Sequence, residues 1–211
     1  MEIGINMVKM NINNLLTPEQ ATEQLISGWD SGTVKNSTDV EELLKFGADI
    51  NITDENGVTV LMKAAKAVDD KECLKLLLKY GLPVSVRDNR GRTALIAALA
   101  GNKKENVKAL IEAGANVNIK LKDYSMATPL MLACMHCDAD VVKLLLEASA
   151  STNSKDQFGY TALMIAIQLN KTDVVNLLLD NGAKVGIEVK NFAKTFPEFA
   201  KTDACARLMQ I

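Results

Sequence analysis

Aromatic residues are scarce in this chain of 211 residues, because Phe, Trp and Tyr together make up only 4% of it. The strands of a β-sandwich are rich in aromatic and β-branched residues, so this scarcity disfavours such a fold. Proline and glycine are also few, at 4 and 12 residues, which excludes a collagenous or low-complexity chain. Hydrophobic residues still make up 48% of the chain, mainly as Leu, Ala, Ile and Val, and this mix favours helices around a buried core.

A strong net charge is absent as well, since the formal value is −2 at pH 7. The chain therefore has no general electrostatic attraction to nucleic acid or to an anionic membrane. It has no apolar run of about 18 residues, the length that a membrane-spanning helix needs. Residues 1–16 lean apolar, but Lys9 and several asparagines interrupt them, so we expect an N-terminal tail and no signal peptide. We accordingly expect a cytoplasmic protein with free thiols, and secretion as an effector stays open.

A Thr-x-Leu motif is repeated at Thr59, Thr93, Thr128 and Thr161, with steps of 34, 35 and 33 residues. An aspartate stands five residues before each of these threonines. A glycine stands two residues before the threonine in every copy except the third, where Met126 replaces it. Further along each copy, a Leu-rich segment ends in a small residue. In the four copies these end residues are Gly81, Gly114, Ser149 and Gly182, and an earlier Leu-rich segment ends in the same way at Gly47.

Each part of the repeat predicts a local structure. Aspartate followed by glycine is turn chemistry, because the carboxylate accepts hydrogen bonds from nearby backbone N–H groups and glycine tolerates a positive φ. The threonine hydroxyl then caps a first helix, and a Leu-rich second helix ends at a left-handed residue. Asn102 and Asn170 occupy the break between the two helices, where asparagine tolerates that conformation. One helix pair cannot bury its apolar face alone, so we expect stacked pairs with Leu144 and Leu177 in their core.

These features resemble the ankyrin repeat, a unit of about 33 residues with a β-turn, two helices and a Thr-Pro-Leu-His-x-Ala motif. The resemblance covers about residues 17–186. It implies an all-α ankyrin-repeat solenoid of stacked helix-turn-helix units with short β-hairpin tips, in which Asn51, Asn118 and Asn153 brace the hairpins. The motif histidine is missing, and packing has to replace its hydrogen bonds. Its positions are taken by Met62, Ile96, Met131 and Met164.

We predict a single domain over residues 17–211, with an N-terminal capping repeat, four full repeats and a C-terminal helical cap. Their boundaries are 17–53, 54–87, 88–122, 123–155, 156–186 and 187–211. The third hairpin should be irregular because Met126 replaces its glycine. A last helix is predicted from Pro197 to about Met209. One side of the cap should be lined by Phe192, Phe196, Phe199, Cys205 and Leu208.

Candidates for catalysis or metal binding are few. Cys134, His136 and Cys137 lie close together, but structural zinc needs separated ligand pairs, and Cys73 and Cys205 are single and distant. A Cys–His nucleophile would need an orienting group and an oxyanion hole, and nothing marks either one. We therefore predict no enzyme activity, no cofactor and no metal. A metal or thiol site at this cluster stays as the less favoured alternative.

The resemblance implies that hairpin tips and first helices form a concave face whose variable side chains bind a partner. The side chains there that the fold does not require are Lys66, Arg87, Arg90, Arg92, Tyr124, Met135, His136, Lys155, Phe158, Tyr160 and Gln168. Arg and Tyr are residue types that dominate binding hot spots. We therefore predict a monomeric protein-interaction module, an adaptor or regulatory binder, whose protein or peptide partner carries an acidic or mixed acidic and apolar patch. Nucleic-acid contact through the basic tips is the alternative, and membrane binding is not expected.

Overall fold

A computed structural model of the chain describes residues 16–67 and 70–211. Residues 1–15 of the predicted tail lie outside the described residues, as do Val68 and Asp69. No helix in the described ranges is long and apolar enough to cross a membrane. The α-helices are α1 (Pro18–Ser31), α2 (Ser37–Lys45), α3 (Val60–Ala67), α4 (Lys71–Lys79), α5 (Ala94–Ala100), α6 (Lys104–Glu112), α7 (Pro129–His136), α8 (Ala139–Glu147), α9 (Ala162–Gln168), α10 (Thr172–Asp180), α11 (Ile187–Lys194), α12 (Pro197–Ala200) and α13 (Asp203–Gln210). A 3-10 helix covers Lys122–Tyr124.

The chain divides into two compact units, the first ending at Ala115 and the second running from Asn116 to Ile211. In the first unit, α1, α3 and α5 pack side by side, and α2, α4 and α6 form a second row. In the second unit, the rows are α7, α9, α11 and α8, α10, α13. Each helix pair covers the apolar face of a neighbour, which confirms the predicted all-α stack of helix-turn-helix units. The single domain over 17–211 and its internal boundaries stay a prediction.

Threonine hydroxyls start most of the first helices, as predicted. Thr59, Thr128 and Thr161 each accept a hydrogen bond from the backbone N–H of the residue three positions later, at 3.2, 3.4 and 3.3 Å. Thr93 also precedes its helix but makes no such side-chain bond. At α1, Thr17 forms a full capping box with Gln20. The caps satisfy backbone N–H groups that have no partner within the helix.

The hairpin tips have the predicted turn chemistry in three copies. Asp54 accepts hydrogen bonds from the backbone N–H groups two and four residues later, both at 2.9 Å. Asp88 does the same at 3.0 and 2.8 Å, and Asp156 at 2.9 and 2.8 Å. Each aspartate also has its own backbone N–H bonded to the carbonyl four residues on, which closes the turn. These bonds fix the backbone of each tip, so the turn itself does not require a particular side chain at Arg90 or Phe158.

The third hairpin is irregular, as predicted from the missing glycine. The 3-10 helix Lys122–Tyr124 replaces the regular turn, and both Ser125 and Met126 have positive φ, at 56° and 63°. An antiparallel bridge between Leu121 and Ala127 still closes the hairpin. Left-handed backbone is costly for residues with a Cβ atom, so this tip carries strain that the regular tips avoid.

Asparagine side chains brace successive repeats in the second unit. Asn118 Nδ2 donates to the carbonyl of Ser149 at 3.2 Å, and Asn118 Oδ1 accepts from the backbone N–H of Ser151 at 2.8 Å. Asn153 repeats this pattern with Gly182 and Lys184, at 3.1 and 2.7 Å. Both bonds of each asparagine reach about one repeat further along the chain, which confirms the bracing role that the resemblance implied for these two residues.

The C-terminal cap departs from the prediction of one helix after Pro197. The chain instead forms the short α12, breaks, and starts α13 at Asp203, where the Thr202 hydroxyl accepts a hydrogen bond from the backbone N–H of Cys205 at 3.2 Å. The predicted long helix is therefore wrong, because Thr202 acts as a new N-cap. Phe199, Cys205 and Leu208 are buried as predicted.

The core register is one residue away from the predicted one. Leu144 and Leu177 are only half-buried, whereas Leu145 and Leu178 are fully buried. Each position lies within a run of three consecutive leucines, and successive helical residues point about 100° apart, so the three cannot be equally buried; Leu145 and Leu178 are the most buried of their runs.

Truncation of the buried leucines should destabilise the fold strongly. We expect Leu145→Ala and Leu178→Ala each to lower the free energy of unfolding by about 2–5 kcal/mol, because a cavity replaces buried methyl groups. Leu144→Ala should cost less, and the tip variant Arg90→Ala should stay within about 0.5 kcal/mol. Urea melts followed by circular dichroism test this order, and a larger loss from Leu144→Ala than from Leu145→Ala would contradict the register.

Ser149 ends α8 with φ of 64°, at the position that Gly182 fills after α10 with φ of 79°. We expect Ser149→Gly to raise the free energy of unfolding by about 1 kcal/mol, because glycine adopts this conformation without the Cβ penalty. Gly182→Ser is the matched reverse variant and should lower it by a similar amount. A Cβ atom at Gly182 would meet nothing within 4 Å, so the effect measured by urea melts would be conformational. Equal stability of both variants and the wild type would contradict this.

Candidate functional site

Neighbouring hairpin tips of the first unit are joined by one backbone and one side-chain hydrogen bond. The backbone N–H of Asn89 donates to the carbonyl of Asn56 at 3.0 Å, and Asn89 Nδ2 donates to the carbonyl of Glu55 at 3.3 Å. The contact is close enough that a Cβ atom at Gly57 would lie 2.8 Å from Asn89 Oδ1. The φ of 74° at this position favours glycine, and a larger residue would also have to displace the Asn89 side chain.

The three arginines of the second tip differ in solvent exposure and in hydrogen bonding. Arg87 and Arg90 are exposed. Arg92 is half-buried, and its Nε donates to Asp88 Oδ2 at 2.6 Å. Asp88 is only 6% exposed and also accepts two backbone N–H bonds, so Arg92 supplies the positive charge beside a buried carboxylate. Sequence reasoning gave all three arginines the same role, whereas the structure leaves two guanidinium groups available on the surface of this tip.

Tips of the second unit repeat the same backbone link. The backbone N–H of Gln157 donates to the carbonyl of Ser125 at 2.8 Å, at the turn positions that Asn89 and Asn56 occupy in the first unit. Phe158, at the next position, is 70% exposed, and Tyr124 on the preceding tip is 37% exposed. Lys120 Nζ donates to the carbonyl of Lys155 at 3.1 Å, just before the turn that carries Phe158. The second unit thus presents aromatic and basic side chains together.

The Tyr160 side chain is more buried than the sequence suggested, and it packs against another ring. Its ring is half-buried and makes an edge-on contact with Phe192 of α11, with ring centroids 5.5 Å apart. Phe192 in turn packs against Phe196, with ring centroids 4.9 Å apart. Sequence reasoning placed Tyr160 among residues that the fold does not require, and this ring contact with the cap corrects that view. Phe192 lies on α11 and Phe196 at the start of α12, so the two rings meet across the turn between these helices.

Exposed side chains also stand at the ends of the first helices. Met135, 44% exposed, and His136 end α7, and exposed Gln168 ends α9. The sequence analysis missed Leu169, which is 47% exposed at the position equivalent to His136. In the first unit, Lys66 is exposed near the end of α3. The candidate residues fall into two groups, with Lys66 and the three arginines in the first unit and the others in the second.

The thiols near His136 are closed to solvent. Cys134 and Cys137 are both buried, and burial raises their pKa values to about 12 and about 11. The positive charge of Lys171, whose Nζ donates to the carbonyl of Cys137 at 3.0 Å, lowers both pKa values but does not offset burial. Among the described residues, no group of three His, Cys, Asp or Glu side chains is placed to hold a metal ion. The alternative of thiol chemistry therefore has no accessible nucleophile in this arrangement.

Comparison with known proteins agrees with the repeat pattern. The family model for ankyrin repeats, which describes three copies, matches residues 32–121 and 120–189. The chain is also 34% identical over 161 residues to the nuclear factor NF-kappa-B p105 subunit of Gallus gallus. That alignment covers 74% of this chain but only 16% of the p105 subunit, so the chain spans a small part of that relative.

Thiol labelling tests the closed state of the cysteine cluster. At pH 8 we expect Cys137 to react with iodoacetamide on the order of 100-fold more slowly, and Cys134 on the order of 1,000-fold more slowly, in the native protein than in urea. The reason is that raising the thiol pKa to about 11 or about 12 lowers the reactive thiolate fraction by these orders. Mass spectrometry of the labelled peptides measures each residue separately. Native Cys137 that labels as fast as the unfolded residue would revive the thiol alternative.

Proposed function

Since the chain belongs to the ankyrin-repeat family, whose repeats generally mediate protein–protein interaction, we propose that it is a non-catalytic binding module for a partner protein or peptide. It acts as an adaptor or regulatory binder, as a monomer in the cytoplasm. The observation that carries this proposal is the exposure of Phe158 on a rigid hairpin tip, where the turn requires only its aspartate and glycine. A large aromatic ring left in water on a fixed backbone is typical of an interaction anchor.

Rigidity of the tips supports binding without an ordering cost. The turns are closed by Asp54, Asp88 and Asp156, and neighbouring tips are linked by the backbone bonds of Asn89 and Gln157. A surface that is already ordered loses little conformational entropy when a partner binds. The tip side chains are therefore presented in a fixed arrangement within each unit.

The exposed charges on these tips favour a partner with an acidic patch. In the first unit the exposed guanidinium groups are those of Arg87 and Arg90, and in the second Lys155 is exposed three residues before Phe158. Complementary charge speeds association and selects among partners more than it adds affinity. A mixed patch, with acidic residues around an apolar centre, would match both the charges and the rings.

Alanine variants of tip residues test this function. We expect Arg90→Ala, Tyr124→Ala and Phe158→Ala to leave the melting curve nearly unchanged, and at least one to weaken binding to the native partner by more than about 1 kcal/mol. Binding would be measured by pull-down from the native cell extract and then by titration with the captured protein. Tyr160→Ala is left out of this set because its ring packs on Phe192.

Matched controls are Lys108→Ala and Lys143→Ala, which remove exposed side chains from the second-row helices α6 and α8. Both should bind like the wild type. If all three tip variants also bound like the wild type, the tip surface would not be the binding site. A steep loss of affinity with salt, together with capture of nucleic acid, would favour the alternative of nucleic-acid contact through the basic tips.

A further inference from the structure

A groove runs along helix α1 of the first unit, beside the segment that follows α2. Its volume is about 490 Å³, within the range of roughly 300–1,000 Å³ that ligand pockets of proteins have. Its apolar lining comes from Pro18 and Ile26 of α1 and from Ile52 of the segment after α2. Ile52 is half-buried and Pro18 is exposed, so their free surfaces meet in one concavity. We call it the N-terminal groove, and it has room for a few apolar side chains of another molecule.

Close contacts hold the two sides of the N-terminal groove together. Thr22 Oγ1 accepts a hydrogen bond from the backbone N–H of Asp49 at 2.8 Å and donates one to the carbonyl of Pro18 at 2.7 Å. Gly47 approaches the same turn, since a Cβ atom there would lie 3.4 Å from Pro18 Cβ. The segment after α2 is therefore fixed against the first turn of α1. A groove that is already formed costs a ligand little ordering entropy.

Three acidic residues line the N-terminal groove beside its apolar residues. Glu19 and Glu23 stand four residues apart on α1 and so share one side of it, and Asp49 belongs to the segment after α2. All three side chains are exposed. Within residues 16–67 and 70–211, no lysine or arginine lines the groove, and none of these three carboxylates forms an ion pair. The described part of the chain thus gives the groove negative charge without a compensating cation.

Hydrogen bonds within the repeat leave these carboxylates able to accept further donors. Asp49 Oδ1 accepts from the backbone N–H of Asn51 at 2.9 Å. Glu19 accepts from its own backbone N–H and from the Thr17 hydroxyl, and these bonds hold the pKa of Glu19 below its usual value. An ionised carboxylate offers about four acceptor sites, so both residues keep free ones. Ammonium or guanidinium groups of a ligand would use these sites.

The repeat around the groove is acidic as well. Residues 17–53 hold seven carboxylates and two lysines, a formal charge of −5, although the whole chain carries only −2. The seven are Glu19, Glu23, Asp30, Asp39, Glu41, Glu42 and Asp49. The field of this repeat attracts cations and speeds the arrival of a positively charged ligand. The charge therefore disfavours an acidic occupant of the groove and favours a basic one.

We propose that the N-terminal groove docks a basic segment of a partner protein, with apolar side chains on the apolar lining and lysine or arginine side chains beside the three carboxylates. Apolar contacts at the centre with charges at the rim are the usual arrangement of a protein interface. The opposite charges select this segment against acidic and neutral ones. The inference goes beyond the proposed function, in which positively charged tips bind an acidic patch. Two surfaces of opposite charge would let one chain bridge two different partners.

Fluorescein-labelled peptides provide the probe for this site. The test peptide has two central leucines with two lysines on each side, and its two counterparts carry glutamates in place of the lysines or alanines in place of the leucines. We expect the test peptide to bind the full chain in anisotropy titrations. Both counterparts should bind at least about tenfold more weakly, because one loses the ion pairs and the other loses the apolar contacts. Equal binding of the leucine and alanine peptides would mean charge attraction without docking in the groove, and would overturn the proposal.

Variants of the full chain then locate the binding. We expect Glu23→Lys to weaken the test peptide about fivefold or more, because it replaces an attraction in the groove by a repulsion. Ile52→Ala should also weaken it, and Glu23→Lys changes an exposed side chain, so the test stays decisive even if Ile52→Ala lowers stability. The matched control is Glu41→Lys, the same charge reversal at an exposed position of α2 that does not line the groove. It should bind like the wild type at physiological salt, where exposed charges are screened beyond about 8 Å.

Carboxyl labelling shows whether the groove is open in the free chain. A water-soluble carbodiimide with glycine ethyl ester modifies exposed carboxylates, and mass spectrometry of the labelled peptides measures each residue separately. We expect Glu19 and Glu23 to label as fast as Glu41 in the free chain, and the test peptide to protect the first two but not Glu41. If Glu19 and Glu23 label slowly without the peptide, another part of this chain or a second copy fills the groove. That result would overturn a partner segment as its occupant.

Failure of this inference differs from failure of the proposed function. If the test peptide does not bind, or if it binds Glu23→Lys like the wild type, the groove is not the docking site. Loss of the native partner from Arg90→Ala or Phe158→Ala would then still support binding through the tips. Both tip variants should bind the test peptide like the wild type, because neither residue lines the groove. Equal binding of the lysine and glutamate peptides would overturn the partner chemistry proposed here.

Discussion

The burial of each helix pair against its neighbour is the interaction on which the rest of this structure depends. Helices α3 to α10 are only 7–9 residues long, and isolated helices of that length are not stable in water. Their stability comes from apolar faces that an adjacent pair covers, with little help from helix propensity. The small residues of the first helices, such as Ala64, Ala65 and Ala98, allow the close approach that this burial needs. Turns, caps and asparagine braces all serve to hold neighbouring pairs at that distance.

Features set by neighbours in the chain could be predicted from sequence. The aspartate turns, the left-handed ends at Ser149 and Gly182, and the irregular tip at Met126 all depend on atoms within a few residues of one another. The backbone geometry of a turn leaves few choices of residue, so its sequence pattern is specific. The same turn, cap and helix-end patterns recur in four copies, and this recurrence made the stack of helix pairs predictable as a whole.

Features set by contacts between distant residues could not be predicted in the same way. The ring contact of Tyr160 with Phe192 joins residues 32 positions apart, and nothing in either local sequence indicates it. The choice of Leu145 over Leu144 depends on how the neighbouring helix is rotated. Arg92 is a different case, since its partner Asp88 is only four residues away. The repeat pattern showed the aspartate's role toward the backbone but gave no sign that a side chain would also pair with it.

The backbone bonds between tips have a consequence for how such a chain changes over generations. The N–H of Asn89 and the N–H of Gln157 each reach a carbonyl of the preceding tip, and neither bond uses a side-chain atom. Replacement of the Arg90 or Phe158 side chain therefore leaves the backbone hydrogen bonds between the tips in place. Under the proposed function, single codon changes at these positions could alter partner binding without a compensating change elsewhere in the turn. A duplicated or exchanged repeat would keep the backbone groups that form the hydrogen bond between neighbouring tips. Recombination can therefore produce new combinations of tips without a change in the backbone of the repeats.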